Sequence, residues 1–288
     1  MAVFSSKLLL TSAPFSQRGA PDTLPPQTGP AHRLDTIQHM AQGGRWRMEA
    51  MRALSEPCLF WITRGQGRVT VGGVQRGYGV HNAIFLPAGV MHCLELGANT
   101  QGLVLFFGRD HDPTLPANPQ HLRVREATAQ SELTALLEAL NRESSQPRIG
   151  SDRAAEFQMG LISVWLERQI AVAPQDSLPP KNARKLVNRF TALVERDFRS
   201  SQTVSDYARQ LRVTPTHLSR VCRDACGRPA SDLLQERRLY EARRLLLDTQ
   251  MPIKEIAARL GFRSQTYFSR NFLAQTGSTP SKFRQSGH

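Results

Sequence analysis

The sequence predicts a two-domain α+β protein, with an antiparallel β-domain in the first half of the chain and an all-helical domain in the second. Three observations lead to this organisation. Short apolar runs broken by Gly and Asn fill residues 45–108, helical periodicity fills the chain beyond residue 182, and the Pro-rich segment VAPQDSLPPK lies between them. With 288 residues the chain is long enough for a core in each domain.

The first half begins with a segment rich in Pro, Ser and Gly. Residues 1–35, which contain PDTLPPQTGP, have the composition of a flexible arm. We expect an antiparallel sandwich or a small barrel in residues 36–125, because β-like runs alternate there with turn residues. The runs are RWRMEAMRA, CLFWIT, GRVTVGG, AIFLPAG, HCLEL and GLVLFFG, beginning at residues 45, 58, 67, 83, 92 and 102.

Two amphipathic helices are predicted after the barrel, in residues 126–171. Apolar residues at helical spacing mark one face of each. They are Leu133, Leu136, Leu137 and Leu140 in the first helix, and Phe157, Leu161, Val164 and Trp165 in the second. The Pro-rich segment makes residues 172–182 the linker to the second domain, which occupies residues 183–288.

The second domain carries almost all of the net charge. Residues 1–180 contain 16 Lys and Arg against 15 Asp and Glu, whereas residues 181–288 contain 21 against 9. A basic domain beside a nearly neutral one indicates that only the second binds a polyanion. We expect residues 182–288 to fold and bind that polyanion alone. A merely basic, solvated surface would carry the same charge.

Membrane and secretory classes do not fit the sequence. Apolar runs such as LVLFF at 103–107 are far too short to span a bilayer, and the N-terminal KLLL lacks the other features of a signal peptide. We therefore expect a cytoplasmic protein with no membrane partner. Cys58, Cys93, Cys222 and Cys226 show no metal-binding spacing and are interpreted as buried hydrophobic residues. Redox sensing through Cys58 or Cys93 is the alternative.

A segment of the second domain occurs twice. LRVTPTHLSRVC, from residue 211, resembles LGFRSQTYFSRNF, from residue 260, and each copy is typical of a helix, a tight turn and a second helix. Thr214 and Pro215 suit the start of a helix. Gly261 suits a turn that needs a positive φ, and Arg212 at the matching place is expected to be mildly strained.

The second helix of each unit has an apolar face and a polar face. Leu218, Val221, Cys222 and Ala225 are predicted to pack inward in the first unit, and Tyr267, Phe268 and Phe272 in the second. The outward residues are Thr216, Ser219, Arg220 and Arg223, and then Gln265, Thr266, Ser269 and Arg270. Short polar residues beside an Arg let a helix enter a groove and read base edges. One such helix would be an ordinary solvated face, but two in a basic domain favour DNA binding.

The two units are separated by a strong helical pattern, PASDLLQERRLYEARRLLLDT, at 229–249. A helix of that length spans roughly 31 Å at about 1.5 Å per residue. Successive major-groove faces lie about 34 Å apart. We therefore expect the two units to read two adjacent major-groove half-sites of double-stranded DNA.

The second domain also resembles the DNA-binding domain of the AraC/XylS family of transcription regulators. The resemblance is carried by HLSRVCRDACGRPASDLL, RRLYEARRLLLDT, IKEIAARLGFRSQTYFSRNF and TGSTPSKFR. It implies groove contacts by Thr216, Ser219 and Arg220 on the first recognition helix and by Gln265, Thr266 and Arg270 on the second. Cys222 stands where the family usually has Phe, which implies a looser core in the first unit.

The run LPAGVMHCLEL is similar to a motif of cupin barrels, and many AraC-type regulators carry such a barrel as a sensor. A metal-dependent cupin enzyme would also need a His-x-His cluster with Glu, and CLFWITRGQGRVTVGG contains no His. We therefore expect no catalytic residues, no metal and no cofactor. The expected lining for a small-molecule effector is Trp46, Met48, Phe60, Ile62, His81 and His92, each of which could equally be a core residue.

Family members commonly dimerise through helices that follow the barrel. The resemblance implies a homodimer through either Leu133, Leu137 and Leu140 or Leu161, Val164 and Trp165, although both sets could instead pack on the barrel. RNA polymerase is a further partner if the protein is an activator, which the sequence does not encode. The alternative functions are a cupin-type enzyme with a DNA-binding appendage and an effector-independent DNA-binding protein.

Overall fold

The computed structural model describes residues 32–108, 114–173 and 181–286. The predicted arm therefore lies outside the described residues as far as residue 31, and the first strand already begins at Arg33. Most of the predicted linker, residues 174–180, also lies outside them. Within these ranges, none of the helices has the length and the hydropathy needed to cross a membrane.

Eight strands form the β-domain. They are β1 (Arg33–Thr36), β2 (Cys58–Arg64), β3 (Gly67–Val71), β4 (Val74–Tyr78), β5 (Asn82–Leu86), β6 (His92–Leu96), β7 (Gln101–Phe106) and β8 (Gln120–Arg123). They pair antiparallel in two sheets, with strand orders β1-β7-β2-β5-β8 and β4-β3-β6. The predicted antiparallel β-domain is confirmed, in the form of two separate sheets.

One predicted strand is wrong. The run RWRMEAMRA forms a short helix, α2 (Trp46–Glu49), which follows α1 (Ile37–Met40). The carbonyl of Trp46 accepts the amide of Ala50 at 3.0 Å, and the carbonyl of Arg45 accepts the amide of Glu49 at 3.0 Å. These local bonds satisfy the backbone without a neighbouring strand.

Strand β2 alternates its side chains between two hydrophobic clusters, as a strand with both faces covered must. Phe60 and Ile62 are completely buried between the two sheets, together with Val69 of β3 and Leu94 of β6. Trp61 faces the other way and packs against the helices that follow the sheets. The five-stranded sheet is therefore a layer between a β-core and a helical cover.

The helical cover consists of α3 (Ala127–Ser145) and α4 (Ser151–Val172), close to the predicted limits. The Trp165 indole of α4 donates to the Ala129 carbonyl of α3 at 3.0 Å. Leu133, Leu137, Leu140 and Trp165 are all buried against the sheet. Of the two predicted dimer stripes, only Leu161 and Val164 remain accessible, 55% and 38% exposed.

Seven helices follow in residues 181–286. They are α5 (Lys181–Asp197), α6 (Val204–Gln210), α7 (Pro215–Cys226), α8 (Ala230–Asp248), α9 (Ile253–Arg259), α10 (Gln265–Thr276) and α11 (Pro280–Gln285). Helices α6 and α7 form the first helix-turn-helix unit, α9 and α10 form the second, and α8 connects them. The predicted all-helical domain with two such units is confirmed.

The β-domain and the helical domain are in direct contact. Met51, Met91 and Cys93 belong to the hydrophobic cluster that is otherwise built from the helical domain. The Trp46 ring lies against Tyr240 of α8 and Phe283 of α11, with ring centroids 5.6 and 6.3 Å apart. Two ion pairs also cross the contact, from Arg47 to Asp248 and from Arg228 to Glu95, each at 3.5 Å.

Candidate nucleic-acid interface

Side-chain caps and glycines fix the ends of the two predicted recognition helices, α7 and α10. The Thr214 hydroxyl accepts the amide of His217 at 3.2 Å, and the Ser264 hydroxyl accepts the amide of Tyr267 at the same distance. Gly227 and Gly277 end the helices in the left-handed conformation that favours glycine. The repeat in the sequence is therefore a repeat of helix geometry.

The first recognition helix, α7, has the predicted division of faces. Leu218 and Cys222 are completely buried, and burial raises the pKa of the Cys222 thiol to about 12, so it remains a neutral core group. The predicted reading residues lie on the opposite face. Thr216, Arg220 and Arg223 are exposed, and Ser219 is half-buried.

Arg220 has one partner that the sequence analysis did not single out. Its guanidinium lies 3.3 Å from the His217 ring nitrogen Nδ1, one helical turn earlier, and both residues are exposed. An Arg held by a neighbouring ring loses less freedom when it binds a base. The i,i+3 spacing of the two residues is the signal that could have identified this pair.

The second recognition helix, α10, presents the same outward set. Gln265, Thr266 and Arg270 are exposed and Ser269 is half-buried, while Phe268 and Phe272 are buried. The prediction that Tyr267 belongs to the core is wrong, because its side chain is 58% exposed. Its ring contacts the Phe262 ring, with the ring centroids 6.0 Å apart. The exposed ring adds an aromatic contact surface at the start of the helix.

Helix α8, which sets the spacing of the two units, is held by buried ion pairs. Arg237 is 5% exposed and donates to the Glu195 carboxylate of α5 at 2.6 and 2.9 Å. Burial opposes ionisation of Glu241, but hydrogen bonds and charges from Arg244, Arg237 and Arg199 outweigh it and lower its pKa to about 2. Glu241 is therefore ionised and joins α8 to the start of the domain.

The six predicted effector-lining residues lie in three different places. Met48, Phe60, Ile62 and His92 are completely buried, and the first three belong to the core between the sheets. His81 is outside that core, has a φ of +59° and stacks on Trp61 with centroids 5.7 Å apart. Trp46 lies at the contact with the helical domain. The structure thus brings together four of the six.

Arg52 is a buried cation that the sequence analysis missed. Its backbone pairs with that of His92 in both directions, at 3.0 and 2.7 Å, so the two side chains leave the same face of the pair. The guanidinium is 1% exposed and donates to the Met48 carbonyl at 3.0 Å. Burial lowers the pKa of Arg52. No local pattern marks an interior Arg, because Arg is normally a surface residue.

His92 lies beside Arg52 in a neutral form. Its Nδ1 donates to the Val90 carbonyl at 2.9 Å, and burial, with the Arg52 charge, lowers its pKa to about 3. The other ring nitrogen, Nε2, is buried without a hydrogen-bond partner in the described structure. The described residues contain no group of three His, Cys, Asp or Glu side chains placed to bind a metal.

A separate cleft of about 470 Å³ lies between the three-stranded sheet and α5. Its apolar wall is formed by Val69, Val71 and Val74, and Asn188 and Thr191 of α5 face them. Both domains therefore line this cleft.

The helical domain matches the family model described as a helix-turn-helix domain over residues 207–286. The chain is 24% identical to the HTH-type transcriptional activator RhaR of Shigella dysenteriae serotype 1 over 242 residues, which cover 83% of this chain and 82% of that protein. RhaR of Shigella flexneri serotype 5b has the same identity and coverage.

Two solved structures are also similar. The C-terminal domain of AraT, a response regulator from Geobacillus stearothermophilus, is 34% identical over 38% of this chain and 88% of that one, with a TM-score of 0.35. ToxT from Vibrio cholerae O395 is 16% identical over 88% of this chain and 97% of that one, with a TM-score of 0.42.

Proposed function

This chain belongs to the AraC/XylS family of DNA-binding transcription regulators, and from that membership we propose a specific role for each of its domains. Helices α7 and α10 read two half-sites of one DNA duplex. The β-domain binds a small-molecule effector and passes its state to the helical domain. The observation that carries the first part is the repeated outward set of short polar residues and Arg on two equally capped helices.

The arrangement of charges supports this DNA-binding role. Arg220 and Arg270 follow Ser219 and Ser269 at matching positions, one turn into each helix. A guanidinium there can donate to both O6 and N7 of guanine. Helix α8 has 19 residues and spans about 28 Å, a length comparable with the roughly 34 Å between successive major-groove faces.

Control by an effector is supported by the contact between the domains. Trp46 of the β-domain reaches both α8 and α11, and Met51, Met91 and Cys93 share a core with the DNA-binding helices. A ligand that binds one arrangement of the β-domain core more tightly than another would change the contacts that the β-domain makes with α8. This role needs no catalytic group, so we propose a regulator and not an enzyme.

The exposed stripe on α4 supports a homodimer. Phe157, Leu161 and Val164 are 66%, 55% and 38% exposed at helical spacing, and a monomer seldom leaves such a stripe in water. The RhaR proteins are named as activators, and we propose that this protein also activates, with RNA polymerase as its partner in the cytoplasm.

Selection of binding sites from random DNA, followed by footprinting on a selected site, tests the function. We expect two protected major-groove segments about 10 base pairs apart on one face of the duplex. Uniform affinity for all sequences would instead support an effector-independent, non-specific DNA-binding protein. Turnover of a substrate by the β-domain would support the cupin-type enzyme.

A further inference from the structure

We propose that the β-domain binds a small organic carboxylate, whose carboxylate group pairs with the Arg52 guanidinium and accepts a hydrogen bond from His92. This inference rests on the proposed effector control and names the chemical class of the effector.

Among the described residues, Arg52 is a completely buried cation without an anion. Its guanidinium donates to the Met48 carbonyl and lies 3.3 Å from the Met48 sulfur, both of which are uncharged. Several other Arg residues form ion pairs, but no ion pair between described residues includes Arg52. Buried charges in proteins are normally paired, because an isolated charge is costly to remove from water.

The groups around Arg52 do not supply the missing charge. Burial raises the pKa values of the neighbouring thiols of Cys58 and Cys93, so both remain protonated and neutral. The Tyr240 ring lies 5.9 Å from the guanidinium carbon, which offers a weak cation–π contact. Arg237, whose charge lowers the pKa of Arg52, is itself a cation and is already paired with Glu195.

His92 supplies a second unsatisfied nitrogen on the same face. Arg52 and His92 are directly opposite in a hydrogen-bonded antiparallel pair, so their side chains are neighbours. The buried Nε2 of His92 has no partner in the described structure. When an anion approaches Arg52, its charge favours protonation of His92, which then donates from Nε2.

The surroundings favour a carboxylate with an apolar body. One guanidinium and one imidazole match the two oxygens of a single carboxylate, whereas a phosphate dianion would need more donors. The other neighbours are the Met48 thioether, the Phe60 ring and the Tyr240 ring. Tyr240 belongs to α8, so the bound carboxylate lies next to the helix that spaces the two DNA-binding units.

The test uses the full chain and thermal unfolding. Sodium formate, acetate, isobutyrate and benzoate are compared with their amides and with sodium phosphate, at constant ionic strength and pH. At least one carboxylate should raise the midpoint temperature of unfolding, and the corresponding amide should not. Arg52→Met should weaken the binding of that carboxylate at least tenfold. Arg68→Met, the same change at an exposed position of β3, should leave the response to the carboxylate unchanged.

A second measurement protects the test against a structural role of Arg52. Without organic anions, Arg52→Met should unfold at a higher urea concentration than the wild type. The substitution removes an unpaired buried charge and replaces it with an uncharged side chain of similar shape. A lower midpoint would show that Arg52 is a structural bridge to Met48 and would overturn the inference.

Three further outcomes overturn it: equal responses to acids and amides, a response to phosphate alone, and a carboxylate response that survives in Arg52→Met. DNA binding measured in parallel separates this inference from the proposed function. Specific DNA binding without any carboxylate response defeats only the inference, whereas loss of sequence preference in the wild type defeats the proposed function.

Discussion

Arg212 and Gly261 occupy the same turn position in the two helix-turn-helix units, with φ angles of +59° and +75°. Each turn is closed by the residue that follows, as Val213 and Phe262 donate their amides to Ala208 and Ala257 at 3.0 Å. The two turns therefore share a left-handed conformation, but only Gly261 adopts it without strain. The strain predicted for Arg212 from the repeat is confirmed.

Arg212→Gly should therefore stabilise the protein by about 1 kcal/mol. Relief of a left-handed non-glycine residue gains about 1–3 kcal/mol, and the greater entropy of glycine in the unfolded chain offsets part of that gain. Urea unfolding followed by circular dichroism measures the change. Arg209→Gly, inside α6, is the control and should destabilise, since glycine weakens a helix interior. If Arg212→Gly were less stable than the wild type, the contacts of the Arg212 side chain would outweigh the strain of its backbone.

Gly261→Ala tests the same turn from the other side. A Cβ at this position would clash with the carbonyl of Ser200 and would have to adopt a positive φ. We expect a loss of at least about 2 kcal/mol in the same urea experiment. Wild-type stability in Gly261→Ala would show that the two turns are not under the same constraint.

The recognition-helix arginines should separate into two kinds. Arg220→Ala and Arg270→Ala should each cost about 1–3 kcal/mol of discrimination at one of two positions about 10 base pairs apart. Arg223→Ala, at a position occupied by Leu273 in α10, should weaken binding to all sequences alike and reduce its salt dependence. Site selection from random DNA with the three variants measures this. Unchanged preferences in both Arg220→Ala and Arg270→Ala would exclude α7 and α10 as readers.

Much of the helical domain could be predicted from sequence, because its boundaries are encoded locally. The Thr214-Pro215 start, the glycines after α7 and α10 and the apolar periodicity all act within a few residues. Tyr267 was misplaced because periodicity gives the direction of a side chain but not what covers it. In the folded domain, Phe262 covers only one side of its ring.

The β-domain was less predictable, since its decisive contacts join distant parts of the chain. Trp46 and Met48 alternate like strand residues, but Trp46 is placed by Tyr240 and Phe283 of the helical domain. Nothing in the sequence around residue 46 encodes those partners. Arg52 was missed for the same reason, because its burial depends on His92 and on α8.

The exposed stripe of α4 should carry the dimer contact. Leu161→Glu should convert a dimer to a monomer, and it should leave folding intact because Leu161 is 55% exposed. Analytical ultracentrifugation over a range of concentrations measures the mass. Ala135→Glu, on the exposed side of α3, is the control and should remain dimeric. A dimeric Leu161→Glu would place the contact elsewhere.

Residues 182–288 should fold and bind DNA alone, but with lower stability than in the full chain. Separation uncovers the surfaces that contact Met51, Met91 and Trp46. Binding of the fragment should weaken steeply with salt, since its Lys and Arg contacts to phosphates release counterions. Circular dichroism and salt-dependent binding isotherms test both points. An unfolded fragment, or binding without salt dependence, would contradict the division into two domains.

His92 should make stability depend on pH. Its pKa is lowered from 6.5 to about 3 by burial and by Arg52, so the unfolded chain binds its proton first as the pH falls. The free energy of unfolding is therefore highest above about pH 6.5 and falls as the pH is lowered, by about 2 kcal/mol between pH 7 and pH 5. Urea unfolding in sulfonate buffers, which contain no carboxylate, measures the loss. His92→Asn should remove it, whereas the control His39→Asn should retain it, because the His39 side chain is 64% exposed. An unchanged pH dependence in His92→Asn would show that His92 is protonated in the folded protein.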